Sequence, residues 1–289
     1  MKYIYLSVFY LLVAVASFFG AYSCQNPKYK YTSPAGYEFS EPDKFTMPSS
    51  LLEISGIAFF KNSSDTVYSI QDEDGKLFRQ GWDVKKQKNM KFGPKGDYEE
   101  LAIMGQKVFV LKSNGTIYSF DISETIKPSS KEVKETKHII PKAEYEGLYA
   151  DEATNKLYVI CKSCPIDKKT KKVTGYILDY QVAQDSLVMS GEFKLDLSQM
   201  KAVNPDAKLS LNPSALTKNP KTGEWFILAS ANKQLVITDG QWRIKAVHKL
   251  NSSTFNQPEG IAFDKNLNLF ISNEGDEVNE GNILKFKLK

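Results

Sequence analysis

The sequence predicts an all-β protein, a single β-propeller built from four-stranded blades. Three observations point there. Five short phrases recur along the chain, three of the four intervals between them are about 45 residues, and each phrase is followed by a β-branched and aromatic run. A period near 45 residues is that of one four-stranded propeller blade. The 289 residues are 42% hydrophobic and 25% charged, which is a globular composition.

The phrases are Glu53–Ala58, Asp97–Ala102, Glu144–Tyr149, Asn212–Thr217 and Gln257–Ala262. Their third residues are Ser55, Glu99, Glu146, Ser214 and Glu259, separated by 44, 47, 68 and 45 positions. Second strands are expected at Val67–Ile70, Val108–Leu111, Leu157–Ile160, Trp225–Leu228 and Leu269–Ser272, where β-branched and aromatic residues concentrate. Third strands follow at Lys76–Phe78, Thr116–Phe120, Tyr176–Tyr180, Gln234–Thr238 and Asn282–Phe286. Fourth strands are expected at Asn89–Phe92, Thr136–Ile140, Leu187–Met189 or Glu192–Leu195, and Lys245–Lys249. The fifth repeat ends without one. Its partner is expected from the N-terminal side, at Tyr37–Phe39 or Lys44–Thr46, which closes the ring and leaves no blade open. The interval of 68 holds either an insertion or a degenerate blade, so five blades is the reading and six the alternative.

The N-terminus reads as an address. Lys2 precedes an uncharged stretch, Tyr3–Phe19, and small residues then lead to a cysteine. Ala21-Tyr22-Ser23-Cys24 resembles a bacterial lipobox, with Ala21 and Tyr22 departing from its usual residues. Residues 1–23 are therefore expected to be a lipoprotein signal peptide and Cys24 the lipidated residue. A plain signal peptide and an uncleaved anchor are the alternatives. Residues 24–37, polar and carrying Pro27 and Pro34, are expected to be a tether, and 38–289 the propeller. The expected location is the bacterial cell envelope, periplasmic or outer-membrane-associated, with the lipid as the membrane contact. Cys161 and Cys164 remain, as a disulfide or two inert thiols; no further ligands stand near them for zinc.

Composition also restricts the chemistry. The net charge is +4 and dispersed, which gives no footprint for nucleic acid. Two histidines, His138 and His248, both fall on expected outer strands, so a Ser-His-Asp triad has no material.

The phrases Ser55-Gly-Ile-Ala, Glu99-Glu-Leu, Glu146-Gly-Leu, Ser214-Ala-Leu and Pro258-Glu-Gly-Ile-Ala-Phe-Asp264, with Asn268-Leu-Phe-Ile-Ser-Asn-Glu274, resemble the SdiA-regulated (YjiK-like) β-propeller family from about Glu41 to Lys289. The resemblance implies an envelope-associated propeller with no agreed reaction. Lys112 and Lys162 depart from it, standing near positions where relatives often carry acids.

Blade topology brings the opening of each first strand and the hairpin between the second and third strands to one face. The expected channel mouth therefore gathers Ser55, Glu99, Glu146, Ser214 and Glu259 with Asp72, Asn273 and Glu274. Glu146, Glu259 and Glu274 are the candidate ligands for a divalent cation, Ca²⁺, which takes six to eight oxygens. A cationic or hydroxyl-rich ligand suits the same groups. The structural alternative is that each carboxylate accepts backbone N–H groups or pairs with Lys112 or Lys162. The functional expectation is a monomeric binding module for a small molecule or a protein segment. A metal-dependent lactonase or hydrolase is the alternative.

Overall fold

Twenty strands lie in five four-stranded antiparallel sheets. They are described here from a computed structural model covering residues 31–82 and 87–289. Blade 1 is β2 (Ile54–Ala58), β3 (Val67–Gln71), β4 (Lys76–Gln80) and β5 (Lys88–Lys91). Blade 2 is β6 (Tyr98–Met104), β7 (Lys107–Lys112), β8 (Ile117–Asp121) and β9 (Lys134–Thr136). Blade 3 is β10 (Glu144–Asp151), β11 (Lys156–Ser163), β12 (Lys172–Gln181) and β13 (Ser186–Asp196). Blade 4 is β14 (Ala215–Lys218), β15 (Trp225–Ala229), β16 (Gln234–Thr238) and β17 (Ile244–Lys249). Blade 5 joins both ends of the fold: β18 (Pro258–Phe263), β19 (Leu269–Asn273) and β20 (Asn282–Phe286) take β1 (Asp43–Thr46) as the outer strand. The register runs from Asp43 opposite Lys285 to Thr46 opposite Asn282.

The ring thus has five blades and closes with the second of the two candidate strands. The long third interval is an insertion. It is used up by the 10- and 11-residue strands β12 and β13 and by the stretch 197–214, which holds the short helix α1 (Met200–Val203). Leu187–Met189 and Glu192–Leu195 belong to one strand. The outer strand of blade 2 ends at Thr136, short of expectation, because His138 is in the left-handed conformation at φ 57°. Tyr37, counted with the tether from sequence, is buried against Phe263, and Thr32–Lys289 is one compact unit. The expected signal segment and Cys24 lie outside the described residues. Among the described residues, no helix is long and apolar enough to cross a membrane.

The core is divided into five apolar clusters, one between each pair of neighbouring blades. Strand side chains alternate between the two faces of a sheet. In β15, Trp225, Ile227 and Ala229 pack toward blade 3, while Phe226 and Leu228 pack toward blade 5. Both faces of each middle strand are therefore buried, which explains why those strands read as continuous apolar runs. Close approach of the blades requires small residues just inside the mouth. A Cβ at Gly147 would lie 2.6 Å from Ile160 Cγ2 and 3.0 Å from Leu216 Cβ in blade 4. A Cβ at Gly260 would lie 2.6 Å from the Ser55 carbonyl oxygen in blade 1.

Candidate functional site at the polar channel mouth

The first strands of blades 1, 2, 3 and 5 open with a fault in the ladder, and in blades 2, 3 and 5 that fault makes the site. In blade 2, Tyr98 pairs with Lys112 and Glu100 with Leu111, so Glu99 has no partner opposite. Glu146 is skipped in the same way between Tyr145 and Gly147, and Glu259 between Pro258 and Gly260. A bulge residue of this kind is turned off the ladder and re-aimed. Three blades thereby bring a glutamate to one end of the channel.

Two of them, Glu146 and Glu259, line a cavity of about 370 Å³ together with Lys162, Asn212, Ser214, Ser230, Ala231, Lys233 and Gln257. Lys162, at the end of β11, seats its ammonium on the Glu146 carboxylate and stands 3.4 Å from Glu144. The Glu146 side chain is only 7% exposed against 36% for Lys162. Burial lowers the Lys162 pKa, but hydrogen bonding and charge from Glu146 and Glu144 outweigh it and hold the ammonium strongly protonated. Burial raises Glu146 to about 6 even with that ammonium on it. Burial and the Glu146 charge raise Glu259 to about 7, and the same two causes raise Glu99 to about 10. Glu274, on the hairpin after β19, is raised to about 8 by burial and then by Glu259 and Asp72. Asp72 is raised to about 6 by burial, with Glu53 and Glu73 adding to it. The direction is common to all five. They are desolvated, mutually repelling carboxyls around one space.

The remaining expected residues are placed differently. The Ser55 hydroxyl donates to the Glu99 carbonyl at 2.5 Å, and the Ser214 hydroxyl donates to the Pro258 carbonyl at 2.8 Å. Both stitch neighbouring blades, although Ser214 also borders the cavity. Asn273 is fully buried and donates to Asn282 Oδ1 at 3.1 Å. Glu274 accepts from the Gln257 amide. Among the described residues, no three His, Cys, Asp or Glu side chains converge as a metal-sized cluster. Glu146, Glu259 and Glu274 are instead distributed round the rim. Cys161 and Cys164 are joined as a disulfide that brackets Lys162. His248 accepts or donates at Thr32 Oγ1, 2.8 Å away, on the outer strand of blade 4.

Three features escape the sequence reading. Lys233, which no motif marks, and Gln257, which opens the fifth phrase but is not among the expected mouth residues, both line the cavity. Glu100 stands where the other phrases have Gly56, Gly147, Ala215 and Gly260, and that anomaly is visible on alignment. It is wholly buried, accepts from the Leu101 N–H at 3.0 Å, and is held well above the usual carboxylate range, first by desolvation. The third feature is a larger cavity, about 680 Å³, at the other end of the channel. Its lining includes the aliphatic ring of Ile57, Leu101, Leu148, Leu216 and Ile261, and the Asp151–Lys218 ion pair at 3.1 Å. The five aliphatic residues are the fifth positions of the opening phrases, which read from sequence as ordinary strand residues.

The ordered set of opening phrases on a closed five-bladed ring agrees with a family match over residues 37–277 to the model described as SdiA-regulated. The chain belongs to the SdiA-regulated family. A search of curated proteins found no match. Among solved structures, a glutaminyl cyclase from Myxococcus xanthus is 12% identical with a TM-score of 0.54, over 85% of this chain and 94% of that one. A chain of a nidogen/laminin complex is 14% identical with a TM-score of 0.46, over 76% of this chain and 72% of that one. At such identity the glutaminyl cyclase likeness concerns the fold. For this SdiA-regulated protein, function has to be argued from the mouth itself.

Proposed function

We propose that this SdiA-regulated, YjiK-like propeller is a lipid-anchored binding module of the bacterial envelope that takes a cationic ligand at its polar mouth. The observation that carries the reading is the bulged trio Glu99, Glu146 and Glu259. Three blades spend a ladder position on aiming a carboxyl at one space, where burial opposes its ionisation. A cation entering that space relieves the repulsion among the carboxyls and satisfies their ionised forms. Ca²⁺ is the simplest such cation, with Glu146, Glu259 and Glu274 as its proposed ligands. Lipidation at Cys24 would hold the propeller at the membrane.

Calorimetric titration of the full-length chain in detergent with CaCl₂ tests the mouth, repeated on Glu146→Ala and Glu259→Ala. Saturable heat in the wild type, lost in both variants while their melting temperatures are kept, is the expected result. Identical heats in all three would place any calcium site elsewhere. Palmitate labelling that disappears in Cys24→Ala is the expected signature of the anchor.

A further inference from the structure

At the end of the channel away from the mouth, the buried aliphatic ring of Ile57, Leu101, Leu148, Leu216 and Ile261 forms the floor of the cavity of about 680 Å³. Beyond that floor the five blades are not equivalent. At the next position blades 1, 2 and 5 carry Ala58, Ala102 and Ala262, whereas blades 3 and 4 carry Tyr149 and Thr217. One residue further the contrast is Phe59, Ile103 and Phe263 against Ala150 and Lys218. All of these positions line the cavity. The three alanines leave space that a larger side chain would fill. The wall from blades 5, 1 and 2 is apolar, and the wall from blades 3 and 4 carries the hydrogen-bonding groups.

A second observation is independent of that asymmetry. Thr217 is only 5% exposed, yet among the described residues its hydroxyl forms no hydrogen bond. The Tyr149 hydroxyl forms none either, and burial, then the Asp151 charge, keeps it firmly protonated. Buried hydroxyls ordinarily find a partner, and leaving one unpaired costs free energy. Other polar groups of the same wall are engaged. Asp151 accepts from the Lys218 ammonium at 3.1 Å and from the Ala153 N–H at 3.2 Å. Asn219 accepts from the N–H groups of Lys221 and Thr222 at 2.9 and 3.1 Å. Lys218 lies over the Trp225 ring, 5.3 Å from its centroid, and spends one of its three donors on Asp151. The polar wall therefore offers spare donors whose charge is already balanced.

We propose that this cavity is a second binding site, for a small uncharged amphiphile that lies with an apolar body against blades 5, 1 and 2 and a carbonyl group against Tyr149, Thr217 and Lys218. The inference is independent of the cation-binding reading of the mouth. The volume is in the range of small-molecule sites, and an apolar enclosure with a few placed polar groups is their usual construction. A carbonyl oxygen accepts two hydrogen bonds and so answers both hydroxyls, or one hydroxyl and the ammonium. A neutral head also fits the charges. The lining holds Asp151 and Glu152 against Lys218 and Lys221, two of each sign. A carboxylate there would meet Asp151, and an ammonium would meet Lys218, each beside an ion pair that is already complete.

The test is fluorine NMR line broadening with three probes that share one body: para-trifluoromethyl-benzamide, para-trifluoromethyl-benzoate and para-trifluoromethyl-benzylamine. Each is titrated with the full-length chain in detergent, with protein-free micelles as the blank. Wild type, Thr217→Val, Tyr149→Phe and Ala262→Met are compared, with a melting temperature for each. The benzamide is expected to bind the wild type saturably and about tenfold more tightly than either charged probe. Thr217→Val and Tyr149→Phe each remove one donor and are expected to weaken it by about three- to tenfold. Ala262→Met fills the apolar side and is expected to abolish binding. No saturable benzamide binding to the folded wild type overturns the proposal. So does a charged probe that binds as tightly as the benzamide, an affinity unchanged in both hydroxyl variants, or wild-type binding in a folded Ala262→Met. Should Ala262→Met fail to fold, the three-probe series and the two hydroxyl variants decide.

Discussion

Ser55 in blade 1 donates its hydroxyl to the carbonyl oxygen of Glu99, its counterpart in blade 2, at 2.5 Å. The Ser55 carbonyl in turn accepts from the Ser272 hydroxyl of blade 5 at 2.6 Å, so a relay of two bonds crosses three blades just behind the mouth. Ser55 is 2% exposed, and water cannot easily replace what its side chain supplies. Ser55→Ala is expected to cost about 1–2 kcal/mol, the loss of one bond plus an unsatisfied carbonyl. Urea unfolding measures it, and a midpoint equal to wild type would mean that the relay contributes nothing.

Glu100 makes an opposite prediction. Its carboxyl fills the space that Gly56 leaves open: a Cβ at Gly56 would lie 2.6 Å from the Leu101 nitrogen and against the Glu100 carboxyl itself. Because its pKa in the fold lies well above the unfolded value, the folded state holds a proton that the unfolded chain releases once the pH passes about 4.5. Stability from this group is therefore full below that pH and declines as pH rises toward the folded pKa. Glu100→Gln mimics the protonated form. It is expected to leave stability near pH 4 little changed and to raise the melting temperature at pH 7.5. A variant less stable than wild type at both pH values would show that the ionised carboxylate is what the fold uses.

How far the sequence carries can be judged at particular residues. The blade count follows from the spacing of Ser55, Glu99, Glu146, Ser214 and Glu259, because a repeated structure must repeat its backbone requirements. The face on which they gather follows from strand direction alone. What the spacing does not carry is where each hydroxyl goes. Ser55 and Ser214 read as mouth residues, yet their hydroxyls serve carbonyls of the next blade, a contact between residues 44 positions apart. The closing strand was narrowed to two segments, and Asp43–Thr46 took the place while Tyr37 and Phe39 became core. Both segments are amphipathic, so only the tertiary fit separates them. The cavity at the other end was invisible because it is lined by the same aliphatic and alanine positions that build any blade.

The Cys161–Cys164 bond closes a loop of a few residues around Lys162. Such short loops stabilise by about 2 kcal/mol through the unfolded chain. Both sulfurs are buried, at 1% and 5% exposure, and belong to the apolar cluster between blades 2 and 3. The double variant Cys161→Ala/Cys164→Ala is expected to melt lower by several degrees and to become indifferent to reductant, whereas the wild type loses a similar amount when reduced. Calorimetric scans with and without reductant check this. Equal melting of oxidised and reduced wild type would count against any structural part for the bond.

Cation binding at the mouth carries its own pH signature. Glu259 and Glu274 lie at about 7 and about 8 in the free protein, first through burial and then through neighbouring carboxyls. Near pH 7 both therefore hold a proton for part of the time. A bound cation favours the ionised forms and pulls both pKa values down, so binding must release protons wherever the free groups are still protonated. Affinity is then expected to rise between pH 6 and pH 8 and to level off above it. Without a ligand, the same two groups make the fold less stable over that window, since the folded state again holds protons that the unfolded chain has lost. The ligand's stabilising effect should accordingly be larger at pH 8 than at pH 6. Titrations in two buffers of different ionisation enthalpy read the released protons directly as a difference in apparent heat. Glu274→Gln should reduce that difference, and heats identical in both buffers at pH 7 would break the link between these carboxyls and the cation.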